Sequence, residues 1–95
     1  DSIIGGAGND GIAGGSGDDY VLGDFGNDTI IGQAGNDNLL GSGGEDFVIG
    51  GDGDDLVRGN GGIDTLAGNA GANTIIGLAS EIDESFSDAD FPFLL

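Results

Sequence analysis

Gly23-Asp24-Phe25-Gly26-Asn27-Asp28-Thr29-Ile30-Ile31 is followed, with no residue gained or lost, by Gly32-Gln33-Ala34-Gly35-Asn36-Asp37-Asn38-Leu39-Leu40. The same frame of nine reaches back to Gly5 and forward to Ile76, giving eight consecutive blocks. Block position one is always Gly: Gly5, Gly14, Gly23, Gly32, Gly41, Gly50, Gly59 and Gly68. Position four is always Gly as well: Gly8, Gly17, Gly26, Gly35, Gly44, Gly53, Gly62 and Gly71. Position six is Asp10, Asp19, Asp28, Asp37, Asp46, Asp55 and Asp64, then Asn73. Position eight is Ile12, Val21, Ile30, Leu39, Val48, Val57, Leu66 and Ile75. Asp1-Ser2-Ile3-Ile4 reads as the end of an earlier block, with Asp1 at position six and Ile3 at position eight. Gly-rich, highly charged sequence with few aromatics ordinarily reads as disorder. An unbroken period of this kind instead marks a repeat architecture.

The composition narrows what such a chain does. Among 95 residues there are 18 Asp and Glu, a single cation (Arg58), no His and no Cys, for a net charge of −17. One cation makes no basic surface for nucleic acid or an anionic membrane. Without Cys there is no disulfide framework, zinc-thiolate site or thiol nucleophile. Without His the commonest general base is missing. Apolar runs are far shorter than the roughly 20 residues needed to span a bilayer. The chain opens on Asp1 and shows no apolar leader, so it reads as a piece of a longer polypeptide or a processed product, with an upstream domain expected.

Within one block, positions one to six are polar, acidic and rich in Gly, the makings of a tight turn. Asn at position five (Asn9, Asn27, Asn36) is expected to tolerate a left-handed backbone there. Positions seven to nine, such as Thr29-Ile30-Ile31 and Phe47-Val48-Ile49, read as very short strands with position eight on one face. Two blocks make one coil with a strand on each side. Stacked at about 4.8 Å, each strand pairs with the one two blocks later, and the position-eight side chains form a thin core. Position-six carboxylates then fall into two columns. Asp10, Asp28, Asp46 and Asp64 share one edge; Asp19, Asp37, Asp55 and Asn73 share the other. Carboxylates roughly 5 Å apart in dry surroundings repel, and cations between the loops would relieve this. The donors on offer are carboxylate and carbonyl oxygens, a set suited to calcium rather than magnesium or zinc.

The pattern G-x-x-G-x-D-x-U-x, with U a large aliphatic residue, resembles the RTX (repeats-in-toxin) or haemolysin-type calcium-binding nonapeptide family from Asp1 to Ile76. The resemblance implies an all-β fold, a right-handed parallel β-roll with two nonapeptides per coil. It also implies calcium ions sandwiched between loops and held by the position-six residues and loop carbonyls. Carried onto this sequence, the metal ligands are Asp1, Asp10, Asp19, Asp28, Asp37, Asp46, Asp55, Asp64 and Asn73, with Gly8, Gly17, Gly26, Gly35, Gly44, Gly53 and Gly62 in the loops. Three gaps on each edge give about six ions, whose twelve positive charges would bring −17 to −5. Asp1 lacks its upstream loop, so a further ion there is incomplete or absent. The site between the loops of Asp55 and Asn73 is expected to be the weakest, because Asn73 keeps an oxygen but loses the charge.

The remaining residues read more plainly. Asp18, Asp24, Glu45, Asp52 and Asp54 are expected to be solvated loop charge, and Tyr20, Phe47 and Leu56 surface or cross-strand pairs. At position nine, Ile4, Leu22, Ile31, Leu40, Ile49 and Ile76 form an outward apolar row by strict alternation. Two readings stand: the row tucks under neighbouring strands, or it is a docking face. The frame fails after Gly77. Leu78, Ile82, Phe86 and Ala89 follow the spacing of one helix face, and Ser80 with Asp83 resembles a capping box. A short helix over 81–89 is predicted within a C-terminal cap or tail, 77–95, beside a roll domain spanning 1–76. The ending Asp90-Phe91-Pro92-Phe93-Leu94-Leu95 resembles the C-terminal signal of type I secretion substrates; an apolar plug on the last coil is the alternative.

The function implied is a calcium-binding module of a secreted bacterial protein. It would be unfolded before export and fold outside the cell, with calcium and the type I export machinery as partners. The alternative is an adhesion, carbohydrate-binding or spacer module attached to an extracellular enzyme or adhesin. An irregular sequence at positions two and three argues against ice binding. Catalysis is not expected, because the Asp residues recur every nine positions with no singular pair.

Overall fold

A computed structural model describes residues 1–69, 71 and 73–76. The described chain is all-β and contains nine strands. In chain order these are β1 (Ser2–Ile4), β2 (Gly11–Ala13), β3 (Tyr20–Phe25), β4 (Thr29–Ile31), β5 (Asn38–Gly43), β6 (Phe47–Ile49), β7 (Leu56–Arg58), β8 (Thr65–Ala67) and β9 (Thr74–Ile76). Odd-numbered strands form one sheet in the order β1-β3-β5-β7-β9, and even-numbered strands a second in the order β2-β4-β6-β8. Every pair is parallel, and every residue faces the one eighteen positions later: Val21 opposite Leu39, Ile30 opposite Val48, Val57 opposite Ile75. Two nonapeptides per coil, a parallel β-roll, is the architecture that the eighteen-residue register requires.

A strand of three residues has only one side chain to bury on its inner face, and in this sequence that is position eight. Ile12, Val21, Ile30, Leu39, Val48, Val57 and Leu66 form the core, flanked by the partly buried Ile3 and Ile75 at its ends. Full burial of one such side chain contributes roughly 1.5–3 kcal/mol. Main-chain hydrogen bonds continue the sheets into the turns. The amide of Gly14 donates to the Ile31 carbonyl, and that of Gly32 to the Ile49 carbonyl, at 2.8 and 2.9 Å.

Three details depart from the sequence reading. Strands β3 and β5 are six residues long and run on through the next block's third position, with Asp24 opposite Ser42. The position-nine row is split between the sheets. Ile31, Ile49 and Ala67 form a second buried cluster on the even sheet. On the odd sheet Leu22 and Leu40 are half-buried, while Ile4 and Ile76 are exposed. Left-handed backbone falls at positions two and four, not five. Asp24, Gln33, Ser42, Asn60 and Asn69 have φ between 64° and 80°, values at which Asn, Asp and Gly are the least strained. The predicted helix over 81–89 and the cap or tail spanning 77–95 lie outside the described residues.

Candidate metal centre

The turn from position one to position six brings each acidic side chain back against the start of its own block. A Cβ added to Gly5 would fall 2.8 Å from Asp10 Oδ2 and 2.9 Å from the carbonyl oxygen of Gly23, one coil on. Gly14 repeats this with Asp19 Oδ2 at 2.8 Å and the Gly32 carbonyl at 2.9 Å. Any side chain at position one would displace these oxygens, which explains the invariant glycine by close approach rather than by φ. Position four has both constraints. Gly26 has a φ of 110°, and an added Cβ would run into the Gly8 carbonyl of the coil before. Gly35 against Gly17, Gly44 against Gly26, Gly53 against Gly35 and Gly62 against Gly44 follow suit. The carbonyls of Gly8, Gly17, Gly26, Gly35 and Gly44 therefore stack along the edges of the roll.

Both predicted columns form, and each is held by a ladder of hydrogen bonds. The Asp10 amide donates to Asp28 Oδ1, the Asp28 amide to Asp46 Oδ1, and the Asp46 amide to Asp64 Oδ1, at 2.8–2.9 Å. On the opposite edge the Asp19 amide donates to Asp37 Oδ1, that of Asp37 to Asp55 Oδ1, and that of Asp55 to Asn73 Oδ1, each at 2.8 Å. The amine of Asp1 makes the same contact with Asp19 Oδ1 at 2.6 Å, placing Asp1 in register with the second column. A second ladder runs in the opposite direction. Asn9 Oδ1 accepts from the Asn27 amide, Asp18 Oδ1 from Asn36, Asn27 Oδ1 from Glu45 and Asn36 Oδ1 from Asp54. Position five is thus a structural rung, and Asp18, though exposed, belongs to it rather than being only solvated charge. Nothing in one isolated block reveals this role. Asn or Asp at position five of the first four blocks (Asn9, Asp18, Asn27, Asn36) is its one trace in the sequence.

The ladder accounts for one oxygen of Asp19, Asp28, Asp37, Asp46 and Asp55 and leaves the other. Oδ2 of Asp10, Asp19, Asp28, Asp37, Asp46 and Asp55 is buried and has no hydrogen-bond partner. Asp28 is 0% exposed and Asp46 1%. Burial pushes the Asp37 and Asp46 carboxyls up to about 6. The main-chain amide at Oδ1 opposes that rise, and the carboxylates above and below add to it: Asp55 and Asp19 for Asp37, Asp64 and Asp28 for Asp46. Asp28 and Asp55 are raised for the same leading reason.

An acceptor oxygen that is buried, unpartnered and beside a second acceptor oxygen fits a hard cation and little else. Among the described residues no group of three acidic side chains forms a cage. Each column offers one carboxylate per loop, so main-chain carbonyls must complete any coordination sphere. The position-one carbonyls of Gly23, Gly32, Gly41 and Gly50, which lie beside Oδ2 of the coil before, are oxygens that the sequence reading did not single out. The donor set of Asp carboxylates and carbonyls matches the oxygen coordination of calcium.

The family model of the RTX calcium-binding nonapeptide repeat matches this chain in four copies, over residues 1–30, 22–57, 31–66 and 58–80. No curated protein and no solved structure matches.

Proposed function

The chain belongs to the RTX calcium-binding nonapeptide repeat family, and from that premise we propose that it is a structural module whose folding is driven by calcium outside the cell. One observation carries the reading: buried Oδ2 atoms, each without a donor, repeat every eighteen residues on both edges of the roll. Bound calcium supplies positive charge and an oxygen-seeking coordination sphere. Position-six carboxylates and loop carbonyls would hold it. Without a cation the two columns oppose the stacking that buries Ile30, Leu39 and Val48. Binding free energy at the loops then becomes folding free energy.

Calcium is scarce in cytoplasm and abundant outside cells, so such a chain stays extended before export and folds after it. The acidic residues have no catalytic task in this reading. They recur identically along each column, and none forms a singular acid–base pair. Far-UV circular dichroism during a calcium titration tests the proposal. A coil spectrum in calcium-free buffer, turning to β on addition of calcium but not of equal magnesium, is expected. A β spectrum already present at neutral pH without calcium, or no response up to saturation, would overturn it.

A further inference from the structure

Asn73 stands at position six of the last described block, and its side chain is oriented by the same ladder as the aspartates. The Asp55 amide donates to Asn73 Oδ1 at 2.8 Å. Because that amide only donates, oxygen must occupy this branch, and the other branch must be the nitrogen. Nδ2 therefore sits where the aspartates carry Oδ2. A Cβ added to Gly68 would fall 2.6 Å from Asn73 Nδ2, as one added to Gly5 or Gly14 would fall 2.8 Å from an Oδ2. In this place Nδ2 donates to the carbonyl of Asn69, position two of the same turn, at 3.1 Å.

We infer that Asn73 closes its column with a built-in donor in place of a calcium ion, so that the last turn is satisfied without metal. In the blocks of Asp19, Asp37 and Asp55 this branch is an acceptor with no partner, which a cation would satisfy. In the block of Asn73 it is an N–H group already bonded to a loop carbonyl. A cation placed there would meet a positively polarised NH2 and a carbonyl already engaged. Asn73 is thus expected to contribute no metal ligand, which goes beyond the weak site suggested by the loss of charge alone. The ladder bond to the Asp55 amide is kept, so the last coil retains its register while the metal column stops one loop short. The inference rests on the calcium reading above.

Native mass spectrometry and calorimetric titration of the whole chain, against Asn73→Asp, test it. The variant is expected to bind one calcium ion more than the parent chain. Equal stoichiometry in the two overturns the inference while leaving the calcium reading intact. No calcium bound by either chain removes the calcium reading, and this inference with it. A measurement on the unaltered protein keeps the test open should the variant fold poorly. In calcium-saturated protein the Asn73 side-chain NH2, followed by NMR, should exchange with solvent roughly tenfold more slowly than that of the exposed Asn9. Exchange as fast as that of Asn9 means that the donor is not engaged, and overturns the assignment.

Discussion

Acidification alone is expected to fold this chain in the complete absence of calcium. Asp37 and Asp46 have carboxyls pushed from 3.8 to about 6 in the folded state, chiefly by burial. A carboxyl that holds its proton more tightly in the folded chain favours folding when protonated. Its contribution is fully present below the unfolded value near 3.8 and is lost as pH rises through the folded value near 6. A change of that size corresponds to about 3 kcal/mol for each group. The two stand in different columns, so their contributions add to a first approximation, giving about 6 kcal/mol. Asp28 and Asp55 shift in the same direction. The total is comparable with the whole stability of an ordinary small domain, roughly 5–15 kcal/mol.

The assay is far-UV circular dichroism of protein stripped of calcium on a chelating resin, from about pH 7.5 down to about pH 3. Light scattering should accompany it, because the net charge vanishes near pH 4.1 and aggregated β structure must be excluded. A reversible coil-to-β transition centred between about pH 4 and pH 6 is expected. Asp37→Asn combined with Asp46→Asn should weaken the pH dependence, since an amide cannot titrate. In calcium the dependence reverses, because protons and metal compete for the same carboxylates and affinity falls with pH. A calcium-free spectrum that is unchanged across this range, or that gains β structure as pH rises, would refute the argument.

Two further predictions concern the scaffold in saturating calcium. Gly26→Ala should destabilise more than Gly8→Ala in chemical denaturation. Both residues have φ above 100°, but only the Cβ at Gly26 meets a carbonyl of the preceding coil, while Gly8 faces open space. The backbone term is about 1–3 kcal/mol in each, so equal losses would contradict the stacking of position-four carbonyls. Leu39→Ala in the core should cost about 2–5 kcal/mol, whereas Ile63→Ser, at a side chain 72% exposed, should stay within about 0.5 kcal/mol. Similar losses in these two denaturation midpoints would place the core elsewhere.

The core and both columns were legible because each depends on a period alone. Once Val21, Leu39 and Val57 recur at eighteen residues, parallel stacking follows with no knowledge of the turns. Features that depend on the path inside the turn were not legible. Gln33 has φ of 74° although Gln has no special tolerance for it, because the coil's closure fixes position two whatever residue stands there. Asn27 was expected to supply a left-handed bend. It serves instead as an acceptor for the amide of Glu45, since the bend is already made by Gly26 and Asp24. The different fates of Ile31 and Ile4 were also hidden, because alternation specifies which face a side chain takes but not whether that face is covered.

The two ladders together order the loops of successive coils against one another within the roll. Position-five oxygens cap amides one coil later, and position-six Oδ1 atoms cap amides one coil earlier. The loops of successive coils are tied in both directions by neutral or single-charge contacts that need no ion. Within the folded roll the ladders therefore set the spacing along each column, and they leave Oδ2 and carbonyls for a cation. Oδ2 is also the atom that makes the metal-free fold unfavourable, through burial without a partner. On the proposed reading, binding and folding are coupled through that single atom in each loop, repeated along both edges. A chain built this way gains little from a partial column, since each filled gap stabilises the stacking its neighbours need. On the proposed reading, folding is expected to be cooperative over a narrow range of calcium.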